Sequence, residues 1–316
     1  MSTHTDSTTP MPAQTTKHFL TVDDLSTAEL DAVLEQAATY KQQLDAGESH
    51  ADLAGKTLAM LFEKPSTRTR VSFETGMTQL GGHAVFLGPD DTQLDRGEPI
   101  KDTARALSGY VDVIMARLFD HDDLTELAAY ADVPVVNGLT DDAHPCQTLA
   151  DLQTIQETFG DLSEVSAAWV GDGNNVAQSF AKGCAMTGVD LTVATPEGYG
   201  LSDETLDACA DLGDEPAVTT DPAEAVAQSD VVYTDVWVSM GEEDEREEKV
   251  AAFDGFQLNG DLLAGTDAKV MHCLPAHRGE EVDDETIEGE RSLVWQQAEN
   301  RMHAQKALLT SVVRGF

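Results

Sequence analysis

Thr57-Leu58-Ala59-Met60-Leu61-Phe62, followed after Glu63-Lys64-Pro65 by Ser66-Thr67-Arg68-Thr69-Arg70, is the stretch from which the chain can be organised. A short uncharged run of this kind suits a buried strand, and Pro65 followed by Ser and Thr suits a helix start whose hydroxyls cap free N–H groups. Unpaired backbone N–H groups, the positive end of the helix dipole, hydroxyls and two guanidiniums would converge there on one small polyanion. Taken alone, an S-T-x-T helix start also describes an N-capped surface helix with two solvated arginines. The surrounding chain separates these readings.

Upstream, Leu25–Gln43 carries apolar residues at helical spacing, with Ser26 as cap and Gly47 as stop. Downstream, strands are predicted at Thr57–Phe62, Ala84–Leu87, Val111–Met115 and Val133–Asn137, with helices from Thr67, Ile100 and Asp122 between them. A helix over Cys146–Phe159 leads to a second series of strands at Ala167–Val170, Leu191–Ala194, Ala217–Thr219, Val231–Thr234 and Lys269–His272, and Gln296–Val313 closes the chain as a helix. Such alternation predicts an α/β protein with two doubly wound parallel-sheet (Rossmann-like) domains. The charge run Glu242–Lys249 reads as a solvated helix.

The 316 residues suffice for two α/β domains with separate cores. A net charge of −39, from 58 acidic and 19 basic residues, excludes nucleic acid and anionic membrane surfaces as partners. With 41% hydrophobic residues the chain is nevertheless globular. The acidic residues are spread along its whole length, a pattern that resembles proteins of salt-loving organisms and predicts salt-dependent stability. Cys146, Cys184, Cys209 and Cys273 are too few and too irregularly spaced for a zinc site or a disulfide framework, and a reducing cytoplasm fits them. No apolar run reaches the roughly 18 residues of a membrane span. The first 17 residues, rich in Thr, Ser and Pro, read as a flexible tail without the apolar core of a signal peptide.

In parallel sheets the chemistry lies beyond the carboxyl ends of the strands, and the unusual residues fall there. His144-Pro145-Cys146-Gln147 closes the first series, and His144 is a candidate donor to a carbonyl oxygen that gains charge in a transition state. Arg117 follows a core strand, where a scarce basic residue suits anion binding. Gly171-Asp172-Gly173-Asn174-Asn175 resembles a truncated dinucleotide fingerprint in which Val176 replaces the third glycine, so its polar pair suits a small ligand better than a pyrophosphate. Asp235-Val236-Trp237-Val238-Ser239-Met240-Gly241 and His272-Cys273-Leu274-Pro275 follow later strands and would suit an amino-acid substrate, Asp235 gripping its ammonium. Cys273 alone also reads as an inert buried thiol, and Arg301 as a surface charge opening the last helix.

Phe62-Glu63-Lys64-Pro65-Ser66-Thr67-Arg68-Thr69-Arg70-Val71-Ser72-Phe73-Glu74 and His144-Pro145-Cys146-Gln147 resemble the carbamoyl-phosphate signatures of the aspartate/ornithine carbamoyltransferase family. The Asp235–Gly241 and His272–Pro275 motifs are similar to its ornithine branch, and the resemblance covers residues 18–316. It implies the carbamoyltransferase fold, with a carbamoyl-phosphate domain over 18–150, an ornithine domain over 151–300, and a final helix, 301–316, that packs back on the first. It further implies a homotrimer or a multiple of trimers.

The activity implied is transfer of the carbamoyl group of carbamoyl phosphate to the δ-amine of L-ornithine, giving L-citrulline and phosphate, in arginine biosynthesis or arginine deiminase-type degradation. By matching motif, Ser66, Thr67, Arg68, Thr69 and Arg117 would hold the phosphate, while His144, Gln147 and Arg301 would bind the carbamoyl group. Gln93 would come from a neighbouring subunit. Asn175, Asp235, Ser239 and Met240 would hold the amino-acid end of ornithine, with Cys273 and Leu274 near the reacting amine, Cys273 acting as base or only positioning it. No metal or cofactor is implied. Three alternatives stay open: putrescine or an acetylated ornithine as acceptor, a nicotinamide-dependent oxidoreductase, and a non-catalytic phosphate-binding or assembly protein.

Overall fold

Strand β1 (Thr57–Phe62) is buried from Leu58 onward and lies inside a four-stranded parallel sheet with β2 (His83–Leu87), β3 (Val113–Arg117) and β4 (Val135–Leu139), in the order β2-β1-β3-β4. The computed structural model describes residues 16–94, 97–239, 241 and 243–316. The expected tail, 1–17, therefore lies outside the described residues up to residue 15. A second parallel sheet contains β5 (Ser166–Val170), β6 (Asp190–Ala194), β7 (Ala217–Thr219), β8 (Val231–Thr234) and β9 (Lys269–His272), in the order β7-β6-β5-β8-β9.

Both orders reverse direction once. In the first sheet the chain builds outward from β1 to β2 and then returns to the other side of β1; in the second it builds from β5 through β6 to β7 and returns beside β5. Reversal leaves a crevice where successive loops diverge. The first crevice separates the loops after β1 and β3, and Phe62 pairs in register with Arg117 at the ends of those strands. The second separates the loops after β5 and β8, which carry Gly171–Asn175 and Asp235–Gly241.

Helix α1 (Thr27–Asp45) starts at a capping box in which Ser26 Oγ accepts from Glu29 N–H and Glu29 accepts from Ser26 N–H. Helix α2 (Thr67–Gln79) follows β1, α3 (Ile100–Ser108) and α4 (His121–Tyr130) flank β3, and α5 (Pro145–Phe159) leaves β4. In the second half α6 (Asn175–Thr187), α7 (Asp203–Leu212), α8 (Pro222–Val226), α9 (Arg246–Ala252) and α10 (Asp284–Glu288) precede the terminal α11 (Val294–Arg314). Helix α11 packs against α1, α2 and α5. A continuous buried cluster runs from Phe73 and Met77 through Leu149 and Leu308 to Trp169, Phe180 and Tyr233, so α5 and α11 join the two sheets through apolar contacts.

Three predicted edges move. The strand expected over Val111–Met115 runs Val113–Arg117, because the Asp112 carboxylate accepts from Lys56 Nζ and Thr57 N–H, each at 2.8 Å, and makes Asp112 a strand cap. The strand expected over Val133–Asn137 runs Val135–Leu139, beginning after Pro134, which has no N–H for a ladder. The last helix begins at Val294, which places Arg301 in its interior instead of at its start.

Candidate active site

A cleft of about 1190 Å3 opens between the two crevices. Its first wall starts with the cradle. Ser66 caps α2 by accepting from Thr69 N–H at 3.2 Å, Thr69 is buried, and Thr67 and Arg68 are exposed along the rim of the cleft. Arg70 departs from the expected pair of guanidiniums. Two residues along a helix lie on nearly opposite faces, and Arg70 instead stacks 3.7 Å over the Phe86 ring and pairs with Glu74 at 3.0 Å. The further positive charge comes from Arg117 at the end of β3 and Arg301 on α11, both buried and both lining the cleft.

These cations crowd one another. Burial first, and then repulsion from Arg301 and Arg68, pulls Arg117 down to about 10, and burial likewise lowers Arg301. His144, the N-cap residue of α5, is held well below its ordinary value by burial and by the two arginines, so its imidazole is neutral. Arg301 Nη1 lies 3.4 Å from His144 Nε2; because a guanidinium only donates, the ring proton belongs on Nδ1. Among the described residues that nitrogen has no protein partner, nor do Arg117 Nε or Arg301 Nε and Nη2, although all are buried. Buried donors without acceptors are rare in folded proteins, and their clustering here marks a site for an electron-rich group. Gln147 does not line the cleft itself; its carbonyl accepts from Arg301 Nη1 and thereby orients that guanidinium.

The second wall differs. Asp235, which follows β8, accepts from Cys273 Sγ–H at 2.9 Å and from Asn174 Nδ2 at 3.0 Å. Burial and the neighbouring Asp235 push the partly exposed Cys273 thiol well above its ordinary range, so it stays protonated. Asn175 lines the cleft and donates to the Thr140 carbonyl at 2.6 Å, a bond that crosses to the first half of the chain. Ser239 lines the cleft, whereas Met240 lies outside the described residues. Leu274 takes φ 60°, a sterically costly conformation for a branched residue, and its N–H donates to His272 Nδ1 at 2.8 Å. Gln93 is exposed and does not line the cleft.

Sequence reading missed two features of this wall. Asn174, treated only as half of a polar pair, both caps α6 by accepting from Val176 and Ala177 N–H and holds Asp235. The run expected as a solvated helix, Glu242–Lys249, contributes a buried lysine: Lys249 pairs with Asp172 at 2.9 Å and both line the cleft. Lysine at the fourth position of α9 is what an inward-facing turn would show. The glycine turn also has a local explanation. A Cβ on Gly173 would sit 2.4 Å from the Gly200 backbone, so the glycine accommodates a neighbouring loop of the same chain.

Residues 17–157 match the family model described as aspartate/ornithine carbamoyltransferase, carbamoyl-P binding domain, and residues 163–312 match its Asp/Orn binding domain. The chain belongs to the aspartate/ornithine carbamoyltransferase family. Among curated carbamoyltransferases, it is 63% identical over 296 residues to the ornithine carbamoyltransferase of Haloquadratum walsbyi, covering 94% of this chain and 97% of the relative. It is 52% identical over 306 residues to the anabolic ornithine carbamoyltransferase of Pyrococcus furiosus, covering 95% and 97%. The solved ornithine carbamoyltransferase structure from Pyrococcus furiosus matches with a TM-score of 0.91 at 50% identity, over 97% of this chain and 100% of that one. The carbamoyltransferase fold and the enzyme class expected from sequence are thus both found. Among the described residues no helix is long and apolar enough to cross a membrane.

Proposed function

We propose that the chain catalyses carbamoyl transfer from carbamoyl phosphate to the δ-amine of L-ornithine, giving L-citrulline and phosphate. The observation that carries this reading is the pairing of unlike walls in one cleft: buried arginine and histidine donors without acceptors face an aspartate–thiol pair suited to an amino acid. Ser66, Thr67, Arg68, Thr69 and Arg117 hold the phosphate, while His144 and Arg301 hold the carbamoyl group, with Gln147 serving that site by orienting Arg301. Asn175, Asp235, Ser239 and Met240 take the α-amino and carboxylate end of ornithine, and Cys273 and Leu274 border its δ-amine.

In the reaction the neutral δ-amine attacks the carbamoyl carbon, the oxyanion develops against Arg68, Arg117 and the Nδ1–H of His144, and the C–O bond breaks as phosphate departs into the α2 cradle with the proton the amine gives up. A neutral His144 can donate here without adding a fourth positive charge. The free amine has a pKa of about 10 by analogy with lysine, so binding must favour its deprotonated form. A protonated Cys273 engaged with Asp235 is placed to orient the amine and is poorly suited to remove its proton.

The carbamoyl-phosphate domain is assigned to 18–150 together with the part of α11 and the chain end from Arg301 onward, and the ornithine domain to 151–300. Gln93 is assigned to the cleft of a neighbouring subunit in a homotrimer, and the enzyme to a salt-rich cytoplasm, serving arginine biosynthesis or its reverse. The deciding experiment is a citrulline assay with carbamoyl phosphate and ornithine at low and molar KCl, with aspartate and putrescine as control acceptors. Citrulline formation confined to ornithine is expected; comparable use of putrescine would overturn the assignment of Asp235 and Ser239.

A further inference from the structure

The two walls are tied to one carboxylate that lies in neither signature motif. Asp151, in the second turn of α5, is fully buried, and its Oδ1 accepts from Gln147 Nε2 and from Gln297 Nε2, each at 2.7 Å. Gln147 turns its carbonyl to Arg301, which reaches on to His144. Gln297 turns its carbonyl to the His272 N–H at 2.9 Å, at the end of β9 and next to Cys273. Both outer partners, a guanidinium and a backbone amide, can only donate. Each glutamine must therefore face its carbonyl outward and its NH2 inward, and the group between the two must accept twice.

We propose that Asp151 is a positioning residue that fixes the carbamoyl half and the ornithine half of the cleft against each other through Gln147 and Gln297. The inference rests on the reading of the cleft given above. A carboxyl in this place is costly, since burial pushes it up to about 7, and the groups facing it are Arg301 from α11, Tyr233 from β8, Cys184 from α6 and Cys273 after β9. The Tyr233 hydroxyl faces the Asp151 carboxyl, though among the described residues neither Tyr233 Oη nor Asp151 Oδ2 has a partner within hydrogen-bond distance. A proton on Oδ2 leaves Oδ1 free to accept from both amides, so the role is that of an acceptor and does not need the charge.

The test compares Asp151→Asn, Asp151→Leu and Gln297→Leu by citrulline kinetics, thermal melting and inhibition by inorganic phosphate. Asp151→Asn, which keeps the accepting oxygen, is expected within about threefold of the unsubstituted enzyme in kcat/KM for both substrates, whereas Asp151→Leu is expected to lose about 100-fold for both, on the scale of displaced catalytic groups. Gln297→Leu cuts only the arm to β9; it is expected to raise the ornithine KM about tenfold and leave the phosphate inhibition constant within about twofold. Three results overturn the inference: Asn as damaging as Leu, a Leu variant impaired with one substrate alone, or a Leu variant that only melts earlier. Should Asp151→Leu fail to fold, the Gln297→Leu split decides, and equal effects on ornithine and phosphate overturn the inference. An unsubstituted chain that makes no citrulline overturns the reading of the cleft and this inference with it, a result distinguishable from failure of the variants alone.

Discussion

The first wall of the cleft has more donors than its protein neighbours can occupy, whereas the second has its key groups engaged with one another. Among the described residues Arg117, Arg301 and His144 retain buried N–H groups without acceptors; beyond the effect of burial, Arg301 and Arg68 lower the proton affinity of Arg117, and Arg301 and Arg117 lower that of the neutral His144. Asp235 already accepts from Cys273 and Asn174. The first wall is therefore organised for an anion before it arrives, and binding there relieves repulsion. On the second, an incoming ammonium must join or displace hydrogen bonds that exist already. This contrast predicts that substitutions on the two walls will differ in size and in which substrate they affect.

The largest effect is expected from Arg68→Ala. Loss of a preorganised charge contact should remove about 3 kcal/mol or more of transition-state stabilisation, roughly 100-fold in kcat/KM for carbamoyl phosphate. Because Arg68 is exposed, the melting temperature should stay unchanged, and turnover near that of the unsubstituted enzyme would remove the cradle from the site. Asp235→Asn should cost about 2 kcal/mol, the scale of one hydrogen bond to a charged group, and should appear in the ornithine KM while carbamoyl-phosphate binding is preserved. An equal loss with both substrates would erase the distinction between the walls.

Cys273→Ala should have a smaller effect, about 1 kcal/mol in kcat/KM, and should leave the shape of the pH–rate profile intact. The sign follows from the raised thiol: its folded pKa lies above the free value, so the group is neutral across the working range and contributes no titration there. Disappearance of a limb of the profile in this variant would make Cys273 the base.

Much of this site was legible because its residues are contiguous at strand ends. Ser66–Thr69 and His144–Gln147 are local signals: a cap, a helix start and a polar pair beyond an apolar run. Arg70 misled because spacing in sequence does not give direction until the helix phase is known, and the phase is set by where Ser66 caps. The roles of Asn174 and Asn175 could not be separated in advance, since one residue of register decides which side chain turns back to cap α6. Lys249 and Asp172 find each other 77 positions apart, a distance over which no local rule operates. Asp151 did leave a trace: Gln147 and Asp151 stand four apart on the otherwise buried face of α5, and polar residues so placed must be satisfied by one another or by an approaching element.

The smallest effect separates the cleft from the outer surface. Among the described residues Lys64, Arg68, Arg117, Arg246, Lys249 and Arg301 line the cleft and outnumber its carboxylates Asp141, Asp172 and Asp235, so the excess negative charge lies outside it. Salt acts on these regions differently. At molar KCl the Debye length is about 3 Å, short enough to screen repulsion among exposed carboxylates but with little reach into buried pairs. The melting temperature should therefore rise between about 0.1 M and molar KCl by several degrees, since a gain of about 1 kcal/mol shifts a domain of this size by roughly 2–4 °C. Over the same range the KM for carbamoyl phosphate should change less than about threefold, because Arg117, Arg301 and His144 act from buried positions where geometry and desolvation, as well as charge, fix the contacts. A KM that climbs in parallel with ionic strength would show instead that the phosphate is held by exposed charge at the rim, and would move the weight of binding from Arg117 and Arg301 to Arg68.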